Sequence, residues 1–318
     1  MSVRWGILGT GKIANKFVGD FQYVEGGCVH AVASRDQHRA NGFALKYDIP
    51  TAYGSYHQLI EAPDLDVIYI ALPHNLHFEF VSYALKAGKA VVCEKPFTIN
   101  SGEFAKLMDL KKSNDHYMVE ALWSFFLPAL LKAKEWVDHG RIGKVRQLSA
   151  DFCFNADFDP EGRLYAPSMA GGALEDIGIY PIAMALMFQG AEPLDCKVLS
   201  HKAVTGVDAN NFIIFDYGES VALLSSSFEC FSKCDFQIAG EEGYITLDPR
   251  FHESKTCRLF KGNKEIDRFV DSSPCIGYAH EINAINRELN AGLTESKYMP
   301  LHLSCQLRKL MDSVRERF

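Results

Sequence analysis

Asp176 and Tyr180 stand four residues apart in the apolar stretch ALEDIGIYPIAMALMF, residues 173–188. Four residues make about one helical turn, so a carboxylate and a phenol would share one face of a segment otherwise suited to burial. A second unusual group is the triplet Glu94-Lys95-Pro96, directly after the apolar run AVVC. Two charges at the end of a buried strand need a reason, and the proline stops further ladder pairing. A local Glu–Lys pair capping the sheet is one reason; a reacting ligand at the strand end is another. An acid, a phenol and an ammonium can together move a proton on and off a substrate oxygen. The ordinary pKa of tyrosine, about 10, is too high for a base near neutrality, and a nearby ammonium would favour the phenolate.

A third constellation lies near the N-terminus. GILGTGKIA supplies Gly9, Gly11 and Ala14 in a G-x-G-x-x-A pattern, after one strand-like run and before a helical one. The first glycine permits a tight turn, the second lets backbone approach a pyrophosphate, and the small third residue lets helix and strand pack closely. Thr10, Lys12 and Ile13 complete the turn and present backbone N–H groups at the helix start, where the dipole favours an anion. The next strand ends in VASRDQHR. NAD sites usually place a carboxylate there for the ribose 2′-hydroxyl, whereas Ser34, Arg35 and Arg39 suit a 2′-phosphate. The expected cofactor is therefore NADP, with Asp36 as the argument for NAD.

These groups need a scaffold, and the first third of the chain supplies strand-like runs at 3–8, 29–34, 65–73, 89–96 and 117–123 alternating with helical patterns. That alternation predicts a doubly wound parallel sheet with helices on both faces. Strand ends on its carboxyl side then face one crevice, which brings in Leu72, Pro73, Asn75 and His77 from LPHNLH beside Glu94 and Lys95. After a helical stretch near 127–140 the pattern changes to strands at KVRQLSADFCF, NNFIIFDYG, SVALLSSSFECF, DFQIAG, GYITL and TCRLF, with helices returning only near the end. The second half reads as α+β with a mostly antiparallel sheet, and the domains as 1–120 and 121–318.

A chain of 318 residues fits two domains better than one core. Its formal charge of -7 argues against a nucleic-acid partner. Cys230 and Cys234 are the one close pair among nine irregularly spaced cysteines, and no histidine nearby completes a metal set. Reduced thiols in a cytoplasmic protein are expected. No signal-peptide pattern opens the chain, and no apolar run approaches the ~20 residues of a membrane span, so no membrane partner is expected.

The motifs GTGKIA, LPHNLH (72–77), CEKP (93–96) and GGALEDIGIYPI (171–182), with the ending GYAHEINAINRELNAGLTESKYMPL, resemble the glucose–fructose oxidoreductase/inositol dehydrogenase/rhizopine catabolism (Gfo/Idh/MocA) family over essentially the whole chain. The resemblance implies a Rossmann domain, then a domain with a large open sheet that often forms a dimer interface. It implies that Lys95, Asp176 and Tyr180 surround the reacting carbon, that Glu94, Pro73, Asn75 and His77 lie near the nicotinamide and its ribose, and that the bond before Pro96 is cis. Many members carry histidine where Tyr180 stands. Tyrosine there resembles the branch holding dimeric dihydrodiol dehydrogenase and NADP-dependent D-xylose dehydrogenases.

In that reading Tyr180 is proton donor and acceptor, Lys95 its electrostatic partner and Asp176 the orienter, with the roles of Lys95 and Tyr180 exchangeable. Arg163 and Tyr165, in the polar loop 155–172, and Trp123 are candidates for touching substrate; a surface role for Arg163 and Tyr165 is the alternative. Related sequences of this branch often carry arginine two positions after the tryptophan. Phe125 replaces that cation with a ring and predicts a less polar ligand. The expected activity is hydride transfer between NADP and a cyclic diol, sugar or related hydroxy/oxo compound. Two other readings stand beside it: an NAD-dependent inositol or aminosugar dehydrogenase of the same family, and a regulator that binds the dinucleotide without chemistry.

Overall fold

The computed structural model describes residues 2–318. Its first elements are β1 (Val3–Leu8), α1 (Lys12–Gly19), β2 (Gly27–Ala33), α2 (Gln37–Lys46), β3 (Thr51–Tyr53), α3 (Tyr56–Glu61), β4 (Val67–Ile70), α4 (His77–Lys86), β5 (Ala90–Glu94), α5 (Ser101–Ser113) and β6 (Met118–Ala121). Next come α6 (Pro128–Asp138), β7 (Val145–Cys153), and a π-helical turn (Leu174–Gly178) that runs into α7 (Ile179–Gln189). Then follow β8 (Asp195–Lys202), β9 (Asp208–Asp216), β10 (Val221–Ser227), β11 (Phe236–Gly240), β12 (Tyr244–Leu247), β13 (Thr256–Lys261), β14 (Lys264–Val270), α8 (Tyr278–Asn290) and α9 (Leu301–Arg315). Two compact units emerge, one formed by residues up to Phe126 with Pro274–Ser304, the other by Leu127–Ser273 with Cys305–Phe318.

In the first unit six parallel strands lie in the order β3-β2-β1-β4-β5-β6. The order reverses between β1 and β4, and in such sheets ligands bind in the crevice beyond the strand ends at that point. VIYI of β4 and AVVCE of β5 are buried at every position, the signature of strands covered on both faces. β3 went unpredicted because it is three half-buried residues at the sheet edge. Residues 274–304 return from far along the chain. The Asp20 carboxylate accepts the N–H groups of Ile276, Gly277 and Ala279 at 3.0, 3.0 and 3.1 Å, satisfying donors at the start of α8. Trp5 Nε1 donates to Asn286 Oδ1 at 2.9 Å from the sheet side.

The second unit is an eight-stranded sheet ordered β14-β13-β12-β11-β7-β10-β9-β8, parallel only between β7 and β10. The mostly antiparallel sheet expected from the sequence is thus present, with β8 and β14 added at the edges. Both edge strands are largely solvated, so DCKVLSHK and KEIDRFV lack a strong apolar run. α6 and α7 cover one face. The other exposes Leu199 beside its partner Phe212, and Ile214 beside its partner Leu223. The helical stretch Pro167–Gln189 is long and apolar enough to cross a membrane by composition. Yet 89% of its most apolar window is buried inside the protein, as expected of a core helix.

Candidate functional site

The glycine-rich turn follows β1 as its pattern requires. Gly9 has φ +105°, and a Cβ there would lie 2.5 Å from the Ala71 carbonyl oxygen. Glycine is needed on both counts. A Cβ on Gly11 would meet nothing within 4 Å, so the backbone before α1 faces open space with N–H groups aimed outward. Ala14 is fully buried, which leaves Thr10, Gly11, Lys12 and Ile13 as the partly or fully exposed members of the turn. This cradle fits a pyrophosphate.

Ser34 directly follows β2, donates its N–H to the Tyr53 carbonyl, and accepts the Asp36 N–H on its hydroxyl at 3.3 Å. Arg35 and Arg39 are exposed beside it. The Asp36 carboxylate caps α2, accepting from His38 N at 2.8 Å and Arg39 N at 3.4 Å. The residue that argued for NAD is therefore engaged as an N-cap. Its 3.8 Å approach to Arg39 joins two well-exposed side chains and holds neither firmly.

At the ends of β4 and β5 the residues differ sharply in environment. Asn75 is exposed, Pro73 half-buried, and Leu72 and His77 are buried. The ring nitrogens of His77 lie 2.8 Å from the Pro96 carbonyl oxygen and 2.9 Å from the Leu72 carbonyl oxygen. Burial is the larger influence and pushes its pKa down; the two carbonyls pull it up, and Lys95 adds to the downward push. His77 thus lies between the β5 turn and the β4 turn, and in its neutral form the one ring N–H can donate to only one of the two carbonyls. The Lys95–Pro96 peptide is cis. Glu94 is buried and accepts a 2.5 Å hydrogen bond from Tyr69. Burial first, then Glu94, raises the Tyr69 pKa, so that hydroxyl stays a donor. Lys95 remains half-buried.

In the second unit Asp176 sits in the π-helical turn and Tyr180 in the first turn of α7, both buried. Pro181 is the third residue of α7. Its missing N–H interrupts the i→i−4 ladder where the wider π geometry stands. Arg163 grips Asp176 through two contacts, Nη1–Oδ1 at 2.8 Å and Nη2–Oδ2 at 3.4 Å. The expected orienter is itself oriented by a residue expected to touch substrate. The Tyr180 ring lies 5.4 Å from His252 and 5.5 Å from Phe152, and those two rings stack at 4.0 Å.

Three contacts fix the π turn from outside. Asp208 accepts Leu174 N at 2.6 Å and Asn211 Nδ2 at 2.6 Å. Glu175, the neighbour of Asp176, takes Arg308 at 2.8 and 3.0 Å and is also paired with Arg315, both from α9. Gly178 sits close to β10, since a Cβ there would approach Ser226 Oγ to 2.9 Å and force that hydroxyl to shift. Sequence reasoning missed Asp208, Glu175 and His252. Glu175 was detectable as a second acid in an apolar run; Asp208 and His252 left no local signal.

Of the aromatic candidates, Trp123 stacks on Tyr278 at 4.4 Å and Tyr165 packs between Phe158 and Phe228 at 4.9 and 5.6 Å. Phe125 is 0% exposed and has no surface to offer a ligand in this state.

A switch-point crevice with a glycine cradle, on a chain that elsewhere buries an acid and a phenol in one helical turn, marks the class: a dinucleotide-dependent oxidoreductase. Residues 3–121 match the oxidoreductase family with an NAD-binding Rossmann fold, and residues 130–246 match the Gfo/Idh/MocA C-terminal domain. The chain belongs to the Gfo/Idh/MocA oxidoreductase family. Trans-1,2-dihydrobenzene-1,2-diol dehydrogenases of Xenopus laevis and Mus musculus are each 33% identical over 332 residues, spanning 99% of this chain and 98% and 97% of theirs. The 3-ketoreductase KijD10 of Actinomadura kijaniata, solved with TDP-benzene and NADP, is 25% identical with a TM-score of 0.84, covering 99% of this chain and 97% of that one. Aldose–aldose oxidoreductase of Caulobacter crescentus reaches a TM-score of 0.90 at 21% identity, over 100% and 97% of the chains, and shares the fold.

Proposed function

We propose that this protein is an NADP-dependent dehydrogenase or reductase acting on a cyclic diol, sugar or related hydroxy/oxo compound. The observation that carries the cofactor choice is the Asp36 carboxylate engaged as the α2 cap, beside the exposed Arg35 and Arg39. Gly9, Thr10, Gly11, Lys12 and Ile13 would hold the pyrophosphate, and Ser34, Arg35 and Arg39 the 2′-phosphate. The bound cofactor supplies the site that gives or takes hydride. Tyr180 exchanges the proton on the substrate oxygen, and Lys95 supplies a positive charge at the end of β5. Asp176, held by Arg163, orients the group it faces. The diol and keto substrates named for the relatives support a hydroxyl/carbonyl couple.

The test is absorbance of NADPH against a panel of dihydrodiols, sugars and dicarbonyls, together with cofactor titration. Turnover with at least one member and a fall in NADP affinity of about tenfold or more in Arg35→Ala are expected. Tighter binding of NAD than of NADP overturns the cofactor choice, and tight cofactor binding without turnover on any member favours a regulator. The apolar patch Leu199, Phe212, Ile214 and Leu223 supports a homodimer through the open sheet face. All nine cysteines are thiols, which supports a reducing compartment such as the cytoplasm.

A further inference from the structure

Glu281 lies on α8, in the segment that returns to the first unit. It is 0% exposed, and neither carboxylate oxygen has a hydrogen-bond partner among the described residues. The charged group within its electrostatic reach is Glu94, at the end of β5. Tyr69 from β4 and Tyr117, just before β6, also lie within its electrostatic reach, and Tyr278, one turn back on α8, lies within reach of Tyr69. Tyr117 is itself committed to Glu288 by a 2.6 Å hydrogen bond, and Asp20 to the N–H groups before and at the start of α8. Other groups packed against α8 are Phe17 from α1, Trp5 from β1 and Trp123, which carry no charge, and the exposed Glu25, which meets Asn283 and Asn286 through its backbone.

Two carboxylates that share a dry site cannot both ionise at neutral pH. Glu94 accepts the Tyr69 hydroxyl, and a carboxylate with a donor is the better place for the single charge. Glu281, without a donor, is the member that keeps the proton. A side chain serving packing alone would be apolar here, because an unpartnered buried acid only destabilises the fold. Such violations of packing logic gather at functional sites.

The position suggests the function. Glu94 ends β5, on the side of the switch point where the second mononucleotide of a dinucleotide lies. The nicotinamide ring is cationic when oxidised and neutral when reduced, so negative charge beside it favours the oxidised form. We propose that Glu281 is a positioning residue that acts through Glu94, holding the acid pair at one negative charge near neutral pH and thereby setting the balance between oxidised and reduced cofactor. This rests on the dinucleotide reading above. As pH rises and Glu281 loses its proton, the pair gains a second charge and NADP+ is favoured over NADPH.

Two readouts test it. The infrared spectrum of the cofactor-free protein at about pH 7 should show a protonated-carboxyl band that disappears in Glu281→Gln; no change in that band overturns the proposal. The ratio of the Kd for NADPH to that for NADP+, in which the shared 2′-phosphate cancels, should rise about tenfold as pH is raised from about 7 to the alkaline limit of the folded protein in wild type. It should stay within about twofold over that range in Glu281→Gln. Equal slopes in the two proteins overturn the redox role. Glu281→Met, of similar length and apolar, serves if the glutamine variant does not fold, and should show the same flat ratio. Absence of binding of either cofactor at every pH, with the infrared band present, overturns the redox role and places the failure in the proposed function rather than in the state of Glu281.

Discussion

Asp208→Ala probes whether the π-helical turn is held from outside. The carboxylate accepts Leu174 N and Asn211 Nδ2, each at 2.6 Å, and both partner residues are 0% exposed. Truncation leaves two buried donors without this acceptor, and each unsatisfied buried donor costs about 1–3 kcal/mol. Removal of the carboxylate returns part of this, since burial outweighs its hydrogen bonds and raises its pKa. A net loss of about 3 kcal/mol is expected, read as a shift in the urea midpoint of the second unit's transition. Asp208→Asn keeps an acceptor for Leu174 N and should lose about 1 kcal/mol or less.

The raised pKa fixes the sign of the pH effect. The stability contributed by this group is complete below its unfolded value near 4 and is lost as pH rises through the folded value, and Asp208→Asn removes that slope. Because Asp176 and Tyr180 ride on the same turn, kcat of Asp208→Ala should fall about ten- to a hundredfold. Cofactor affinity, carried by the other unit, should hold. Stability within about 0.5 kcal/mol of wild type, or a destabilised variant with unchanged kcat, would refute the reasoning.

Tyr180→Phe should lower kcat by about 10²–10⁴ with cofactor Kd unchanged, and near wild-type turnover would remove its role. Gly9→Ala meets both a positive φ and the Ala71 carbonyl, so about 2–4 kcal/mol of stability and most cofactor binding should be lost, by denaturation and fluorescence titration. His77 is buried with a lowered pKa, so its share of stability is present above about pH 6.5 and is lost as pH falls towards the folded value. His77→Gln should flatten the acid limb of the urea midpoint, and an unchanged limb would count against it. Phe212→Lys, on the exposed sheet face, should halve the mass found by light scattering without altering the fold; a wild-type monomer removes the dimer proposal.

The local sequence determined what local chemistry dictates. The G-x-G-x-x-A turn, the buried runs VIYI and AVVC and the alternation of strand with helix sufficed for the parallel sheet, since each is a short-range consequence of sterics or two-sided burial. The antiparallel half was legible where strands alternate strongly and invisible at β8 and β14, as β3 was in the parallel sheet, because edge positions relax the pattern. Lys95, Asp176 and Tyr180 stood out as charged or polar groups in apolar surroundings. Their roles came from resemblance.

Only the tertiary structure decided how those groups are held. Arg163 meets Asp176 across 13 residues, Asp208 meets Leu174 across 34, and Arg308 meets Glu175 across 133. Asp36 became a helix cap once β2 ended at Ala33, and Phe125 lost any surface to offer a ligand once enclosed. Residues 274–304 joined the first unit through Asp20 and Trp5, more than 250 residues upstream, and brought Glu281 within electrostatic reach of Glu94. Periodicity records which face of an element is buried. Which distant group completes a hydrogen bond or raises a carboxyl's pKa depends on chain return, and no window of the sequence contains it.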